Sequence, residues 1–226
     1  MKEIIIETRD VSRQFKNGSI VVNALKGVSI KAQKGKLTIL KGRSGAGKTT
    51  LMNIMATMDN PTEGEVIFKG ENISSLSNNK KDDIRRKKMG IVFQSGALIS
   101  TLTAYENVEL GYKIAGEKIK NISQRIDEVL ELVDMKKREK HFPYELSGGE
   151  AQRIAIARGI IHKPEILFVD EPTSALDSKT AIRVVRVFKR LIDEEGISII
   201  MTTHDPSMIE IADKVYTLSD GVIVDG

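Results

Sequence analysis

One short glycine-rich run constrains the fold of this chain more than any other feature of its sequence. Residues 42–49 fit the pattern G-x-x-x-x-G-K-[ST], and they lie between an apolar run, residues 37–40, and a helix-favouring stretch, residues 49–55. Glycines in such a turn let backbone N–H groups face an anion, and the dipole of the following helix points its positive end there. The pattern therefore predicts a loop that holds nucleotide phosphates.

Two side chains of this loop have specific expected roles. Lys48 is expected to reach the β and γ phosphates, and the Thr49 hydroxyl is expected to ligate Mg²⁺. The alternative is a glycine-rich strand-to-helix turn with an exposed lysine. The residues expected to contact the nucleotide here are Gly42, Ser44, Gly45, Ala46, Gly47, Lys48, Thr49 and Thr50.

The hydrophobic pattern predicts a mostly parallel sheet preceded by an antiparallel one. Short apolar runs alternate with helical stretches, which is typical of parallel strands joined by crossover helices. Asn17-Gly18, between Phe15 and the run 20–22, predicts a hairpin in the first part of the chain. The runs expected to form the central sheet are residues 37–40, 91–93, 166–169 and 197–201.

A helical segment interrupts the sheet-forming runs. Its clearest sign is one apolar stripe at helical spacing, made of Ile122, Ile126, Val129, Leu130 and Val133. We therefore expect an α/β fold: a P-loop NTPase core with an N-terminal antiparallel β subdomain and an inserted helical subdomain. The expected boundaries within this single domain, residues 1–226, are 1–94 and 162–226 for the core and about 95–161 for the helices. The basic cluster at 80–88 is interpreted as a solvated helix face in preference to a polyanion site.

Polar residues follow the apolar runs where parallel strands would end. Ligands bind beyond the carboxyl ends of such strands, so these residues are candidates for the nucleotide site. Asp170 suits an outer-shell hold on Mg²⁺. Glu171 suits a general base, because the proline that follows it favours an extended backbone that would hold its carboxylate beyond the sheet. Gln94 is expected to orient the attacking water or to ligate Mg²⁺, and His204 to donate to the γ phosphate. Taken singly, Gln94 or His204 would more often be an ordinary strand-end polar group, but their shared position at one edge of the sheet favours the functional interpretation.

A second glycine pair precedes another helical stretch, residues 151–161. Ser147, Gly148, Gly149 and Glu150 form an S-x-x-E capping box, and capping alone is one interpretation. Two adjacent glycines weaken a helical turn, so their presence indicates that something approaches the backbone closely. Because residues 42–49 already surround the phosphates, we expect this second element to serve a nucleotide held by another copy of the chain.

Together these motifs resemble the ATP-binding subunits of ATP-binding cassette (ABC) transporters over essentially the whole chain. Residues 146–150 read LSGGE, the signature sequence of that family, and the order of the other motifs also agrees. The resemblance implies ATP and Mg²⁺ as cofactors and a head-to-tail dimer that buries two ATP molecules. It also implies that Phe15 stacks on adenine, although the residue alone would suggest a core position, and that residues 174–177 (SALD) cross the dimer interface.

The resemblance extends to a membrane partner. Residues 95–108 resemble the region that receives a cytoplasmic helix of a permease, which implies a cytoplasmic ATPase peripheral to the inner face of the membrane. PTEGEV (61–66) and LTAYENV (102–108) are most similar to the subgroup of lipoprotein release, macrolide export and antimicrobial-peptide resistance. Ala151, in place of a common glutamine, and residues 100–102, without a frequent proline, depart from the usual pattern without touching a phosphate-contacting residue.

Composition narrows the remaining alternatives. A net charge of +4 is too small to indicate nucleic-acid binding by itself, and the chain has no cysteine for thiolate zinc sites. A nucleic-acid ATPase built on the same cassette is the main alternative, but we expect such a protein to carry heptad insertions, zinc cysteines or a second cassette. A regulatory module that binds ATP without turnover is disfavoured by the presence of Glu171 and His204. We expect no direct contact with nucleic acid.

Overall fold

The computed structural model describes residues 3–18, 20–116, 118–174 and 176–226. In this part of the chain the strands are β1 Ile4–Asn17, β2 Ile20–Gln33, β3 Leu37–Lys41, β4 Glu63–Phe68, β5 Glu71–Asn72, β6 Met89–Val92, β7 Ile166–Asp170, β8 Ser198–Thr202, β9 Lys214–Ser219 and β10 Val222–Asp225. The α-helices are α1 Lys48–Met55, α2 Asn78–Lys88, α3 Ala104–Ala115, α4 Ile122–Leu132, α5 Gly148–Ile160, α6 Ser178–Glu195 and α7 Pro206–Glu210. The chain forms two compact units: unit one comprises residues 1–85 and 198–226, and unit two comprises residues 86–197.

Unit one contains the predicted antiparallel sheet, with strand order β2-β1-β4-β5. The hairpin predicted from Asn17-Gly18 is confirmed, because Asn17 pairs with Ile20 and Phe15 pairs with Val22 across an antiparallel ladder. Ser19, in the same turn, lies outside the described residues. One face of the sheet is apolar and buried, which fixes its register.

Unit one also holds parallel strands that position the glycine-rich loop. Strand β3 pairs in parallel with both β8 and β9, and β10 adds an antiparallel edge to β9. Residues 37–40 of β3 are fully buried, as expected for a strand that is covered on both faces. The predicted strand 197–201 forms one residue later, at β8, and the helix predicted at 49–55 begins one residue earlier, at α1.

Unit two combines the strands β6 and β7, which pair in parallel, with helices α3 to α6. The stripe predicted for α4 is confirmed for Ile126, Val129 and Leu130, which are fully buried. Arg125 on the same helix makes a two-point ion pair with Glu195 of α6, at 2.9 and 3.1 Å. The predicted helical subdomain, about 95–161, lies within this unit, and its proposed boundaries stay a prediction.

The basic cluster of α2 is not the wholly solvated face that the sequence suggested. Lys81 is 8% exposed, and its Nζ donates to Asn60 Oδ1 at 2.6 Å. Arg85 donates to the Thr57 carbonyl at 2.7 Å. These basic side chains therefore anchor the helix within the fold.

In the described part of the chain, no helix has both the length and the apolar character that crossing a bilayer requires.

Candidate functional site

The glycine-rich loop of unit one connects β3 to α1 as its pattern requires. Gly47 is the N-cap of α1, with φ of +102°, and a Cβ at this position would lie 2.6 Å from the Ala24 carbonyl oxygen. A Cβ at Gly42 would overlap the Leu218 carbonyl oxygen. Both glycines are therefore required by backbone packing. The loop opens onto the N-terminus of α1, where unpaired helical N–H groups and the helix dipole favour an anion.

Lys48 lies inside this loop. Its side chain is buried, at 8% exposure, and its Nζ donates to the carbonyls of Gly42 at 2.9 Å and Arg43 at 3.2 Å. Burial of an ammonium group is costly unless it is hydrogen-bonded, and these carbonyls provide that compensation. The structure therefore excludes the alternative of an exposed lysine on a glycine-rich turn.

The other predicted loop residues differ in their exposure. Ser44, Gly45 and Thr49 are exposed, Thr50 is half-buried, and Ala46 is buried. Thr49, an exposed residue, lies in the first turn of α1, where its hydroxyl is expected to provide an oxygen ligand for Mg²⁺.

His204 follows β8, at the same edge of unit one as the loop. Because β3 and β8 are parallel, with Leu40 opposite Thr202, their carboxyl ends lie side by side. The backbone N–H of Thr203 donates to the Leu40 carbonyl at 3.3 Å, and His204 itself is exposed. The strand pairing thus brings His204 to the edge where the glycine-rich loop begins.

Phe15 occupies an exposed position on β1, with 43% of its surface accessible. The guanidinium carbon of Arg13 lies 4.5 Å from the centre of its ring, and a two-point ion pair with Asp59, at 2.8 and 2.9 Å, holds that arginine. The core position that the residue type alone would suggest is therefore wrong. A half-exposed ring is able to stack on a flat ligand.

In unit two, Gln94 and Asp170 come to one edge because β6 and β7 run parallel, with Val92 opposite Val169. Gln94 is exposed, and its Nε2 donates to Ser174 Oγ at 3.0 Å. Ser174 Oγ donates in turn to the Glu171 carbonyl at 3.1 Å. Ser174 therefore bridges two candidate catalytic residues, a role that sequence spacing gave no means of finding.

The backbone of Glu171 differs from its prediction. Its φ is +45°, in the left-handed region, and not in the extended region that the following proline favours. The reason is a tight turn, in which the N–H of Ser174 donates to the Glu171 carbonyl at 3.3 Å. Left-handed backbone is uncommon for a residue with a side chain, and such strain is concentrated at functional sites.

The predicted capping box at residues 147–150 is confirmed. Ser147 is the N-cap of α5, and its hydroxyl oxygen accepts from the Glu150 N–H while Glu150 accepts from the Ser147 N–H at 2.9 Å. This backbone hydrogen bond, with further bonds from the Ser147 hydroxyl and Arg138, lowers the pKa of Glu150. The helix begins at Gly148, three residues before the predicted start at 151, so both glycines belong to its first turn.

The two glycines of α5 have different environments. A Cβ at Gly149 would overlap the methyl carbon of Thr180 on α6, whereas a Cβ at Gly148 would lie 3.6 Å from Leu176 Cδ2, an ordinary contact. The adjacent glycines predicted that a ligand approaches the backbone closely. At Gly149 the group that approaches is instead the Thr180 side chain of the same chain. Gly148 and Ser147 are exposed at the start of the helix.

Replacement of Gly149 by alanine is expected to lower the free energy of unfolding by about 1–3 kcal/mol, because the added methyl group must displace Thr180. A second substitution, Thr180→Ser, removes the conflicting methyl group and should recover most of this loss. Chemical denaturation of the four chains of this cycle measures both effects. Gly148→Ala is the matched control, expected within about 0.5 kcal/mol of the wild type. Equal stability of Gly149→Ala and wild type would contradict the packing argument.

The candidate metal-binding residues provide oxygen ligands, which Mg²⁺ prefers. Thr49, with its hydroxyl, lies in unit one, and Asp170, with its carboxylate, and Gln94, with its amide, lie in unit two. Among the described residues, no group of three or more His, Cys, Asp or Glu side chains is arranged to hold a metal ion.

Comparison with known proteins identifies relatives over almost the whole chain. The model of the family described as ABC transporter matches residues 25–174. An uncharacterized ABC transporter ATP-binding protein of Methanocaldococcus jannaschii is 42% identical over 98% of this chain and 98% of its own length. The macrolide export ATP-binding/permease protein MacB of Syntrophobacter fumaroxidans is 41% identical over 97% of this chain, which spans 31% of that longer protein.

The fold is likewise shared with solved structures. A dimeric ATP-binding cassette in a post-hydrolysis state, bound to ADP and phosphate, has a TM-score of 0.89 and 35% identity, with 97% of each chain covered. The family resemblance drawn from the motifs is confirmed by these matches, as are the expected fold class and the subgroup that includes macrolide export.

Proposed function

Because the chain belongs to the ABC transporter family, we propose that it is the ATP-hydrolysing subunit that drives a separate membrane permease. The observation that carries this proposal is the placement of Lys48, whose ammonium group is buried inside a glycine loop at the N-terminus of α1. Such a loop holds the phosphates of a nucleoside triphosphate and directs a positive charge at them.

Unit one supplies the binding groups for the nucleotide. Lys48 contacts the β and γ phosphates, and the N–H groups of the loop and of α1 donate to the phosphate oxygens. Phe15 stacks its exposed face on adenine, while His204 donates a hydrogen bond to the γ phosphate. Thr49 would hold Mg²⁺ through its hydroxyl, and the ion would neutralise negative charge on the triphosphate.

Unit two supplies the groups that act on water. The oxygen of a water molecule attacks the γ phosphorus while Glu171 accepts a proton from that water. As it attacks, the bond between the γ phosphorus and the β,γ-bridging oxygen breaks. The products are ADP and inorganic phosphate. Gln94, held by Ser174, would orient the water or ligate Mg²⁺, and Asp170 would help to hold the ion.

A second copy of the chain completes each centre in this proposal. Residues 147–150 of one subunit face the nucleotide bound to the loop of its partner in a head-to-tail dimer. Support comes from the exposure of Ser147 and Gly148 at the N-terminus of α5, where the helix dipole favours an anion. The SALD segment, residues 174–177, is proposed to cross the same interface, and Ala175 within it lies outside the described residues.

The permease is proposed to dock on residues 95–108. Asn107, fully buried, organises this segment by donating to the carbonyls of Ile99, Leu102 and Thr103 at 3.0–3.1 Å. It leaves Ile99 exposed at 43% as an apolar contact for a partner helix. The subunit would then be peripheral on the cytoplasmic face of the membrane, in a system for export or for lipoprotein or peptide handling.

Substitution of Lys48 by methionine tests the nucleotide site directly. Methionine keeps the unbranched apolar stem but removes the charge, so the affinity for ATP should fall by about 10- to 100-fold, which corresponds to the loss of one charged hydrogen bond. Calorimetric titration with Mg-ATP measures the change. Lys34→Met is the control, because Lys34 in the same unit pairs only with the exposed Glu3 at 3.0 Å among the contacts described for it. Unchanged affinity in the Lys48 variant would refute the proposed site.

A further inference from the structure

The loop that follows Gln94 is fastened to the side of α5 by a single arginine. Arg158 Nη2 donates to the Gly96 carbonyl at 2.7 Å, and Nη1 donates to the Ala97 carbonyl at 2.8 Å. Burial lowers the pKa of this guanidinium. A planar fork of donors that meets two successive carbonyls fixes both the distance and the orientation of the loop.

The loop needs such a restraint because its backbone is strained. Gly96 and Ala97 are both in the left-handed region, with φ of +68° and +47°. For alanine this conformation is unfavourable and persists only when the surroundings hold it. A further hydrogen bond, from the Gly96 N–H to the Phe93 carbonyl at 2.9 Å, closes the turn next to Gln94.

The same loop packs along α5 itself. A Cβ on Gly96 would lie 3.4 Å from Gln152 Oε1 and 3.6 Å from Ala155 Cβ, so the loop rests directly on the helix. Gln152 is 4% exposed, and its Nε2 has no hydrogen-bond partner. Gln152 therefore holds the loop by packing and not by a hydrogen bond from this amide. Arg158 therefore provides the polar fastening of the loop.

We propose that Arg158 is a positioning residue for hydrolysis, which ties Gln94 to α5, the helix that Ser147 caps. One end of α5 presents the exposed capping segment, and its side holds the Gln94 loop. Engagement of Ser147 by the triphosphate of a partner subunit then moves Gln94 with it. This inference rests on the proposed function, since it assumes that Gln94 acts on the attacking water or on Mg²⁺.

A kinetic double-mutant cycle separates this role from simple packing. Arg158→Met is expected to lower kcat for ATP by about 10- to 100-fold, the usual cost of misplacing a catalytic group, with KM changed by less than about threefold. In a Gln94→Ala background the same substitution should have less than about a twofold effect, because the group that it positions is already absent. Arg158→Lys, which can reach one of the two carbonyls, should retain part of the activity.

Arg125 provides the matched control. It is another arginine of unit two, and its two Nη atoms donate to the two carboxylate oxygens of Glu195. Arg125→Met should leave kcat near the wild-type value, or lower it equally with and without Gln94. Independent losses from Arg158→Met and Gln94→Ala, multiplying in the double variant, would overturn the positioning role.

Hydrogen exchange gives a readout that does not depend on turnover. In Arg158→Met the amides of residues 94–98 should exchange faster, while those of unit one keep their protection. If the wild-type chain hydrolyses no ATP, the proposed function fails, and the exchange experiment still decides whether Arg158 holds the loop. Unchanged protection of residues 94–98 would refute the inference.

Discussion

Replacement of Glu171 by glutamine is expected to lower ATP hydrolysis by about 100- to 10,000-fold, the range over which a general base contributes. Glutamine has nearly the same shape as glutamate but cannot accept the proton of the attacking water. The turn at the end of β7 depends on the Glu171 carbonyl, which accepts from the N–H and the hydroxyl of Ser174. Because the substitution leaves that carbonyl in place, nucleotide binding should be retained.

Glu165 provides a control at the opposite end of β7. It immediately precedes β7, whereas Glu171 immediately follows it, and its carboxylate lies 3.6 Å from Lys88 Nζ. Glu165→Gln should hydrolyse ATP at nearly the wild-type rate.

Because Glu171→Gln should bind ATP without hydrolysing it, saturating ATP should shift this variant to a dimer, which a size measurement detects. Equal hydrolysis by the two variants, or a Glu171→Gln chain that stays monomeric in saturating ATP, would contradict the proposed roles.

Much of the fold follows from the sequence because its signals are local. The pattern of residues 42–49 requires a strand before it and a helix after it, and β3 and α1 lie there within one residue of the expected bounds. Asn17-Gly18 specifies a tight hairpin by its own turn chemistry. The S-x-x-E pattern likewise specifies the cap of α5, because both hydrogen bonds join residues only three positions apart.

The features that the sequence did not reveal depend on contacts between distant segments. Gly149 is required by Thr180, a residue of another helix, so counting glycines could not separate a packing need from a ligand. The left-handed backbone of Glu171 results from the turn closed by Ser174, which overrides the local preference set by the proline. Arg158 differs from an ordinary polar residue of a helix only through its hydrogen bonds to the carbonyls of Gly96 and Ala97, about 60 positions away in the sequence.

Two defective chains should restore each other if every active centre is shared between subunits. Lys48→Met damages the phosphate loop. Ser147→Asp damages the capping segment, because aspartate still caps a helix well but its charge repels a triphosphate. Each variant alone forms dimers in which both centres are defective, so each should show almost no ATP hydrolysis.

An equal mixture of the two variants should recover about a quarter of the wild-type turnover, since random pairing in a two-fold dimer makes half of the dimers mixed and each mixed dimer has one intact centre of two. The control mixes Lys48→Met with Thr49→Val, two defects in the same loop, for which no pairing restores a centre. Steady-state hydrolysis at fixed total protein measures both mixtures. If the first mixture stays as inactive as the second while all variants keep their fold, each chain must complete its own centre, and the head-to-tail arrangement is refuted.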